Sequence, residues 1–586
     1  MGNGFLEMLC NFYIVILAVV LPLYTGGSYW QLGDVKYRLF RNLSLFCLAL
    51  VLCGILAEGV GFYRKRWHGG GPGGQRNPVG MGNGFQGKER SGDPGRFRRS
   101  RGIFSPVDCC MLCYGCNAVL SALCSSYGAT AWTGYREWYM GAVSQLLFVG
   151  IYFFASRCYQ GARFPVYLWE GGFFLVMAVG LCNRLGLDPL GLMAVWNTGD
   201  WEYSHLLSTI GNINWFCGYC SVALAVPVAG YMKAASRARC GWLYVVSLLG
   251  LLLLCIQGSD GGLVCAAVCL GVGILWGQRE DQVLGRTMLL AGGLFCSLPV
   301  YGRMAMALGE KAVRSLPADS VGISWIAWWG WWPVGAVCLV WYAAWRRLGR
   351  NHPVHPAGDR KEDLARVVWH LLGRLPLLAV CCGVMALLLV YALPLMTHYA
   401  AGVQTGSGKG FAMDVHWGSG RGGLWKAAVQ GFLKGDWKQK ALGAGPDCFA
   451  DYIYGELGAG EWLGTEGRFA GAVYANAHNQ WLNHLVNTGL LGLGSALAVY
   501  GAAARRYRRY LPVVLALAMY GIHSLVSFQQ VLSTPLFFLV LGMGESYGRR
   551  MCGKAVEGEG QQHMHTKHQM QAFWHRLSRV CHAGDA

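Results

Sequence analysis

Apolar residues run along this chain in blocks of about twenty, long enough to cross a bilayer, separated by short polar loops. About fourteen blocks are read this way, near 8–26, 38–62, 104–127, 139–156, 164–183, 211–230, 240–257, 261–277, 287–305, 322–345, 375–397, 480–503, 511–527 and 530–547. The loops between them alternate in charge. Residues 63–103 carry ten Lys or Arg and residues 346–374 carry seven. Between these loops lie Arg157 and Arg163, then Lys233, Arg237 and Arg239, then Arg279 and Arg286; Arg505, Arg506, Arg508 and Arg509 follow, and Arg549 and Arg550 sit in the tail. Every second loop is thus basic, which assigns those loops and both termini to the cytoplasmic side. The loops near 27–37, 128–138, 184–210, 258–260, 306–321 and 398–479 then face outside. The expected fold is all-α: a polytopic transmembrane helical bundle with one large extracytoplasmic loop carrying short helices. Its parts are an N-terminal hairpin (1–62), a Gly/Arg-rich cytoplasmic linker (63–103), a helical core (104–397), the large outer loop (398–479), C-terminal helices (480–548) and a cytoplasmic tail (549–586).

The outer loop breaks the pattern, and so large a segment outside the bundle carries function more often than not. Leu424, Trp425, Ala428, Val429 and Phe432 recur at helical spacing, which predicts an amphipathic helix over 421–436. The loop runs into the next apolar block through Ala477-His478-Asn479-Gln480-Trp481-Leu482-Asn483, ending at Gly489 and Gly492. As one helix, this stretch places His478, Leu482 and Leu485 on one face and Asn479 and Asn483 on another. The glycines three apart permit close approach of a neighbouring backbone. A histidine at a helix mouth flanked by amides is suited to take a proton at neutral pH; the plainer alternative is an interfacial cap.

Composition narrows the class. Of 586 residues, 54% are hydrophobic and only 13% charged. The net charge of +19 sits in loops where topology puts it, so nucleic acid is not an expected partner. The 23 Cys lie mostly inside apolar blocks, where they act as small hydrophobes rather than a disulfide framework. The first block lacks a cleavable-signal pattern and is read as a retained helix. The Gly-rich run 69–102 is a flexible linker, and the His-bearing tail is read as disordered, ending in a short interfacial helix around Phe573, Trp574, Leu577 and Val580.

Several motifs fail on context. Cys110-Met-Leu-Cys113-Tyr-Gly-Cys116 has ligand-like spacing but no second cluster. Thr405-Gly-Ser-Gly-Lys409-Gly410 lacks the Ser or Thr that should follow the Lys of a phosphate loop. Glu58, Asp108 and Glu170, in or near blocks, mark either ion paths or structural hydrogen-bonded clusters. Three outer-side segments form a better constellation. They are Gly211-Asn212-Ile213-Asn214, the turn Gln257-Gly258-Ser259-Asp260-Gly261, and Arg421-Gly-Gly-Leu-Trp425 leading to Gly443-Ala-Gly445-Pro446-Asp447-Cys-Phe449 and then His478.

With these motifs in this order across 211–492, the chain resembles the O-antigen ligase and O-antigen polymerase superfamily of bacterial membrane glycosyltransferases. The resemblance implies a protein of the bacterial cytoplasmic membrane. It would move a glycan from a polyprenyl diphosphate carrier to a hydroxyl of a lipid, glycan or protein acceptor, with membrane lipids as surroundings and without cofactor or metal. It implies Arg421 as the clamp on the leaving diphosphate and His478 as the general base. Asn479, Asn212, Asn214, Ser259, Lys426 and Arg303 would contact substrate. The chain departs from the family pattern at Asp260, where relatives often carry Arg. Either Arg303, Arg314 or a loop Lys replaces that cation, or this protein differs in substrate or activity. Two other readings stay open: a polysaccharide polymerase of the same superfamily, which differs only in acceptor, and a transporter or flippase for lipid-linked glycan. The last predicts inverted repeats and acids at the midplane.

Overall fold

In the computed structural model, the described residues are 2–26, 29–68, 104–192, 204–310, 312, 326–350, 368–382, 385, 417–458 and 473–551. The linker 69–102, the Thr405–Gly410 run, Arg314 and the tail beyond 551 lie outside them. The Glu58 side chain is likewise not described.

Among the described residues, eight helices are long and apolar enough to cross a membrane: α1 (Gly4–Leu23), α2 (Leu32–His68, apolar over Leu32–Gly54), α3 (Pro106–Cys124), α5 (Phe164–Arg184), α6 (Ile213–Lys233), α7 (Arg237–Ile256), α8 (Asp260–Gly277) and α9 (Asp281–Leu308). Three shorter apolar helices join them: α4 (Ala142–Cys158), α11 (Val368–Cys382) and α16 (Leu511–His523). Helix α10 (Trp331–Arg350) packs along α9. The 417–458 segment supplies α12 (Trp417–Lys434) and α13 (Trp437–Leu442). Beyond it come α14 (Gln480–Asn487), α15 (Gly489–Arg506) and a last helix, α17, over 534–551. A two-residue antiparallel ladder, β1 (Leu206–Leu207) with β2 (Gly211–Asn212), is the one sheet among the described residues.

The apolar block 480–503 is thus not one helix. Asn479 caps α14, its side-chain oxygen accepting from the N–H of Trp481 and Leu482, and the helix stops at Thr488. His478 precedes the cap with φ +49°, so it is outside the helical repeat and shares no face with Leu482. Chain direction changes at Gly489, which has φ +67° and lies so close to Ala441 that an added Cβ would sit 2.4 Å from its carbonyl carbon. The expected close approach therefore occurs, between the α13–Gly443 turn and the α14–α15 break.

Helix α6 is the most buried span, with 78% of its apolar window inside the protein. Helix α16 packs on α6 and α8, and α15 on α3. One end of the bundle is tied by charge. Asp108, the acid of a Ser105 capping box on α3, accepts from Tyr152 at 2.8 Å and pairs with Arg157 and Arg549 at 3.1 and 2.6 Å. Glu545 on α17 takes Arg506, Arg549 and the Tyr507 hydroxyl. Glu170 pairs with Arg239 at 2.6 Å. Asp108 and Glu170 are therefore members of structural clusters at helix ends.

Candidate functional site

The opposite end of the bundle is built by the 417–458 segment. Helix α12 forms where its spacing predicts, with Leu424 and Ala428 buried and Lys426 exposed, but Val429, expected on the same apolar face, is 42% exposed. Its apolar face shares a small core with Phe449, Ile453, Ala477 and Val486. The Gly443–Asp447 turn then pairs with the end of α14: Ala444 N–H donates to Val486 O and Gly445 N–H to Asn487 O, each at 2.9 Å. Ser125, just past α3, donates to Ala444 O at 2.5 Å. Asp447 has φ +63° and its carboxylate takes the backbone N–H of Tyr135 at 2.7 Å and Met140 at 2.8 Å. Burial pushes this carboxyl up to about 7. These bonds fix the turn, and with it the segment that leads into His478.

Arg421 lies on the first turns of α12 and points into the bundle end. Its Nε donates to Val526 O at 3.1 Å. Burial lowers its pKa, and Asp260, the first residue of α8, acts against that shift. His478 lies within electrostatic reach of the same guanidinium. Its backbone N–H donates to Asn476 Oδ1 at 3.0 Å. Its ring stands edge-on to Phe528, with centroids 5.1 Å apart. Burial, and then Arg421, bring the imidazole down to about 3. The imidazole is therefore neutral near pH 7 and keeps a lone pair to accept a proton. Two non-glycine residues in left-handed backbone, Asp447 and His478, thus flank one site; the surrounding bonds hold conformations that cost of order 1–3 kcal/mol each.

The other expected residues fall into two groups. Near the site, Ser259 precedes α8 and its carbonyl accepts from Gln257 Nε2 at 2.6 Å, closing the turn that presents Asp260. Beneath that turn the fully buried Arg184 donates to Gln257 O at 2.6 Å and Ser204 O at 3.0 Å. Asn212 caps α6, accepting from Asn214 N–H at 2.8 Å. Its segment reaches the site through an aromatic run: Trp215 on Trp138 at 5.6 Å, Trp138 on Phe528 at 4.7 Å, and Phe528 on His478. Asn479 is committed to capping α14. In the second group, Lys426 is exposed on α12, and Arg303 is exposed on α9 with its guanidinium 4.2 Å from the Trp329 ring.

Sequence reasoning missed His523. It ends α16, is 3% exposed, and both ring nitrogens lack a hydrogen-bond partner among the described residues. An added Cβ at Gly261 would lie 3.8 Å from its Nδ1, and it also feels Arg421. Its only sequence signal was a histidine closing an apolar helix.

No family profile matches the chain, and no curated protein matches it significantly.

Proposed function

We propose that this protein is a membrane glycosyltransferase that moves a glycan from a polyprenyl diphosphate carrier to an acceptor hydroxyl at the outer face of a bacterial cytoplasmic membrane, as O-antigen ligases do. On this reading, the 417–458 end of the bundle faces outside, both termini are cytoplasmic, and about fourteen segments cross or enter the bilayer. The observation that carries it is the convergence of a half-buried guanidinium, Arg421, and a neutral imidazole, His478, from two parts of the chain onto the Val526–Phe528 turn that follows α16.

The chemistry follows from the two groups. A diphosphate leaving group carries multiple negative charge into a region of low dielectric, and a guanidinium fork matches its oxygens. Charge grows there as the C1–O bond breaks, so Arg421 acts on the transition state more than on the bound carrier. His478 takes the acceptor's proton while the acceptor oxygen bonds to C1. The polyprenyl diphosphate departs with the electron pair, and displacement from the opposite face inverts C1. Asp260 lies within electrostatic reach of Arg421, and arriving diphosphate competes with it for the same cation. An anion on Arg421 also removes the charge that depresses His478, so donor binding raises the basicity of the base. The acids inside the bundle are paired at helix ends, which favours this reading over transport.

The test is carrier accumulation in membranes. Arg421→Ala should lower transfer by about 10²–10³-fold, with carrier-linked glycan accumulating at unchanged protein level. Arg421→Lys should keep only part of the activity, because the fork is lost. Unchanged transfer by Arg421→Ala would remove the proposal.

A further inference from the structure

A large cavity opens at the end of the bundle remote from Arg421. Helix α8 runs from Asp260, near that guanidinium, to Gly277, and α9 starts back from Asp281 on the cavity wall. The cavity lies where four helices begin or end: α6 closes at Lys233, α7 opens at Arg237, α9 opens at Asp281 and α10 closes at Arg350. It encloses about 810 Å³, inside the ~300–1,000 Å³ range of small-molecule sites.

Its wall is basic. Arg237, Arg286 and Arg346 line it, with Asp281 as the single acid among the described lining residues. Two neighbouring cations are neutralised: Lys233 pairs with Glu280 and Arg239 with Glu170. The three on the wall form no ion pair with an acid among the described residues. Arg286 donates to the carbonyls of Tyr231 and Ala234 at 2.7 and 2.8 Å, and Arg346 to the Tyr342 hydroxyl at 3.4 Å. Such partners position a guanidinium without cancelling its charge. A concave wall of one sign focuses its field on the interior, and guanidinium forks match phosphate oxygens.

Much of the remaining wall is aromatic. Trp345 stacks on Trp369 with centroids 4.4 Å apart, and Tyr244 and Tyr342 also line the space. Tryptophan and tyrosine favour the headgroup level of a bilayer, and basic pockets between membrane helices suit lipid phosphates. A soluble phosphate leaves this aromatic surface bare, whereas a lipid covers it with its glycerol and first methylenes. From this we propose that the cavity seats the phosphate headgroup of an anionic phospholipid. The site is independent of the reaction at the other end of the bundle.

Scintillation-proximity binding of tritiated phosphatidylglycerol to the full chain in detergent tests the proposal, with unlabelled phosphatidylglycerol, phosphatidylcholine of the same acyl chains and inorganic phosphate as competitors. Phosphatidylglycerol should bind saturably and compete better than phosphatidylcholine, and inorganic phosphate should not displace it. Affinity should fall about fivefold in each of Arg237→Gln and Arg346→Gln, the loss expected for one cation beside anionic lipid. Both side chains are exposed, so neither change disturbs the core. Gly241 lines the cavity, and an added Cβ there meets nothing within 4 Å. Gly241→Trp should therefore fill the space and abolish binding. Arg347→Gln, on an exposed neighbour that does not line the cavity, should bind as the unmutated protein does. Equal competition by the two lipids, displacement by inorganic phosphate, unchanged binding in Gly241→Trp, or equal losses in Arg346→Gln and Arg347→Gln would each overturn the proposal.

Discussion

At the scale of single residues, the account rests on protonation states set by burial. His478 sits well below the usual histidine range, at about 3, so it is already neutral throughout the physiological range. The acid limb of kcat/KM, which reports the free enzyme, should therefore lie well below pH 6.5. Removing Arg421 takes away a depressing charge and should move that limb upward; bound diphosphate acts alike, so the acid limb of kcat should lie above that of kcat/KM. A limb of kcat/KM at an ordinary histidine value would contradict this. Asp447 behaves oppositely. Its folded value of about 7 exceeds that of an unfolded carboxyl, so its native proton stabilises at low pH and that contribution is lost as pH rises towards 7. Asp447→Asn keeps an oxygen for the Tyr135 and Met140 amides. Its melting temperature relative to the unmutated protein should rise between about pH 4 and 7 and then level off, as thermal unfolding in detergent would show. Arg421 and His478 were legible in the sequence because charge and imidazole are rare beside apolar blocks. Burial was not legible, so neither the depressed imidazole nor His523, buried at the end of an apolar helix, could be singled out.

At the scale of elements, the site depends on one crossing. The turn at Gly443 lies against the end of α14, and Gly489 lies against the end of α13. Both need left-handed backbone and admit no Cβ; one at Gly443 would lie 2.3 Å from the Asn487 carbonyl carbon. Gly489→Ala should cost at least the ~1–3 kcal/mol of a strained left-handed residue, and lose activity with stability. Gly494, six residues into α15, has nothing within 4 Å of an added Cβ. There Ala should stabilise by roughly 0.5–1 kcal/mol. Equal melting temperatures for the two variants would count against the crossing. The amphipathic spacing of Leu424, Ala428 and Phe432 was enough to predict α12. The break of 480–503 into α14 and α15 was not read, because hydropathy continues across it. The stop comes instead from local geometry: the Asn479 cap, and a Gly489 whose positive φ only its partner turn explains.

At the scale of the whole molecule, alternating basic loops predict which end of the bundle meets which compartment. The ion-pair clusters around Asp108 and Glu545 mark one end, and the Arg421–His478 site marks the other. An alkaline phosphatase fusion after residue 458 should be active, and one after residue 235 inactive; the reverse pattern would put the site on the cytoplasmic side. Long apolar blocks such as α5 through α9 were plain from length alone. Block count was harder: 139–156 and 511–527 read as full blocks, whereas the helices formed there, α4 and α16, are shorter and are held by packing against α3, α6 and α8. The central claim is that this bundle end transfers a glycan, and reconstitution tests it most directly. Purified protein in liposomes, supplied with a polyprenyl diphosphate-linked glycan and an acceptor lipid, should form glycosylated acceptor and free polyprenyl diphosphate in equal amounts. His478→Ala, equally folded, should slow both by about 10²–10⁴-fold. Intact carrier-linked glycan crossing the bilayer, with no glycosylated acceptor and no effect of His478→Ala, would contradict it.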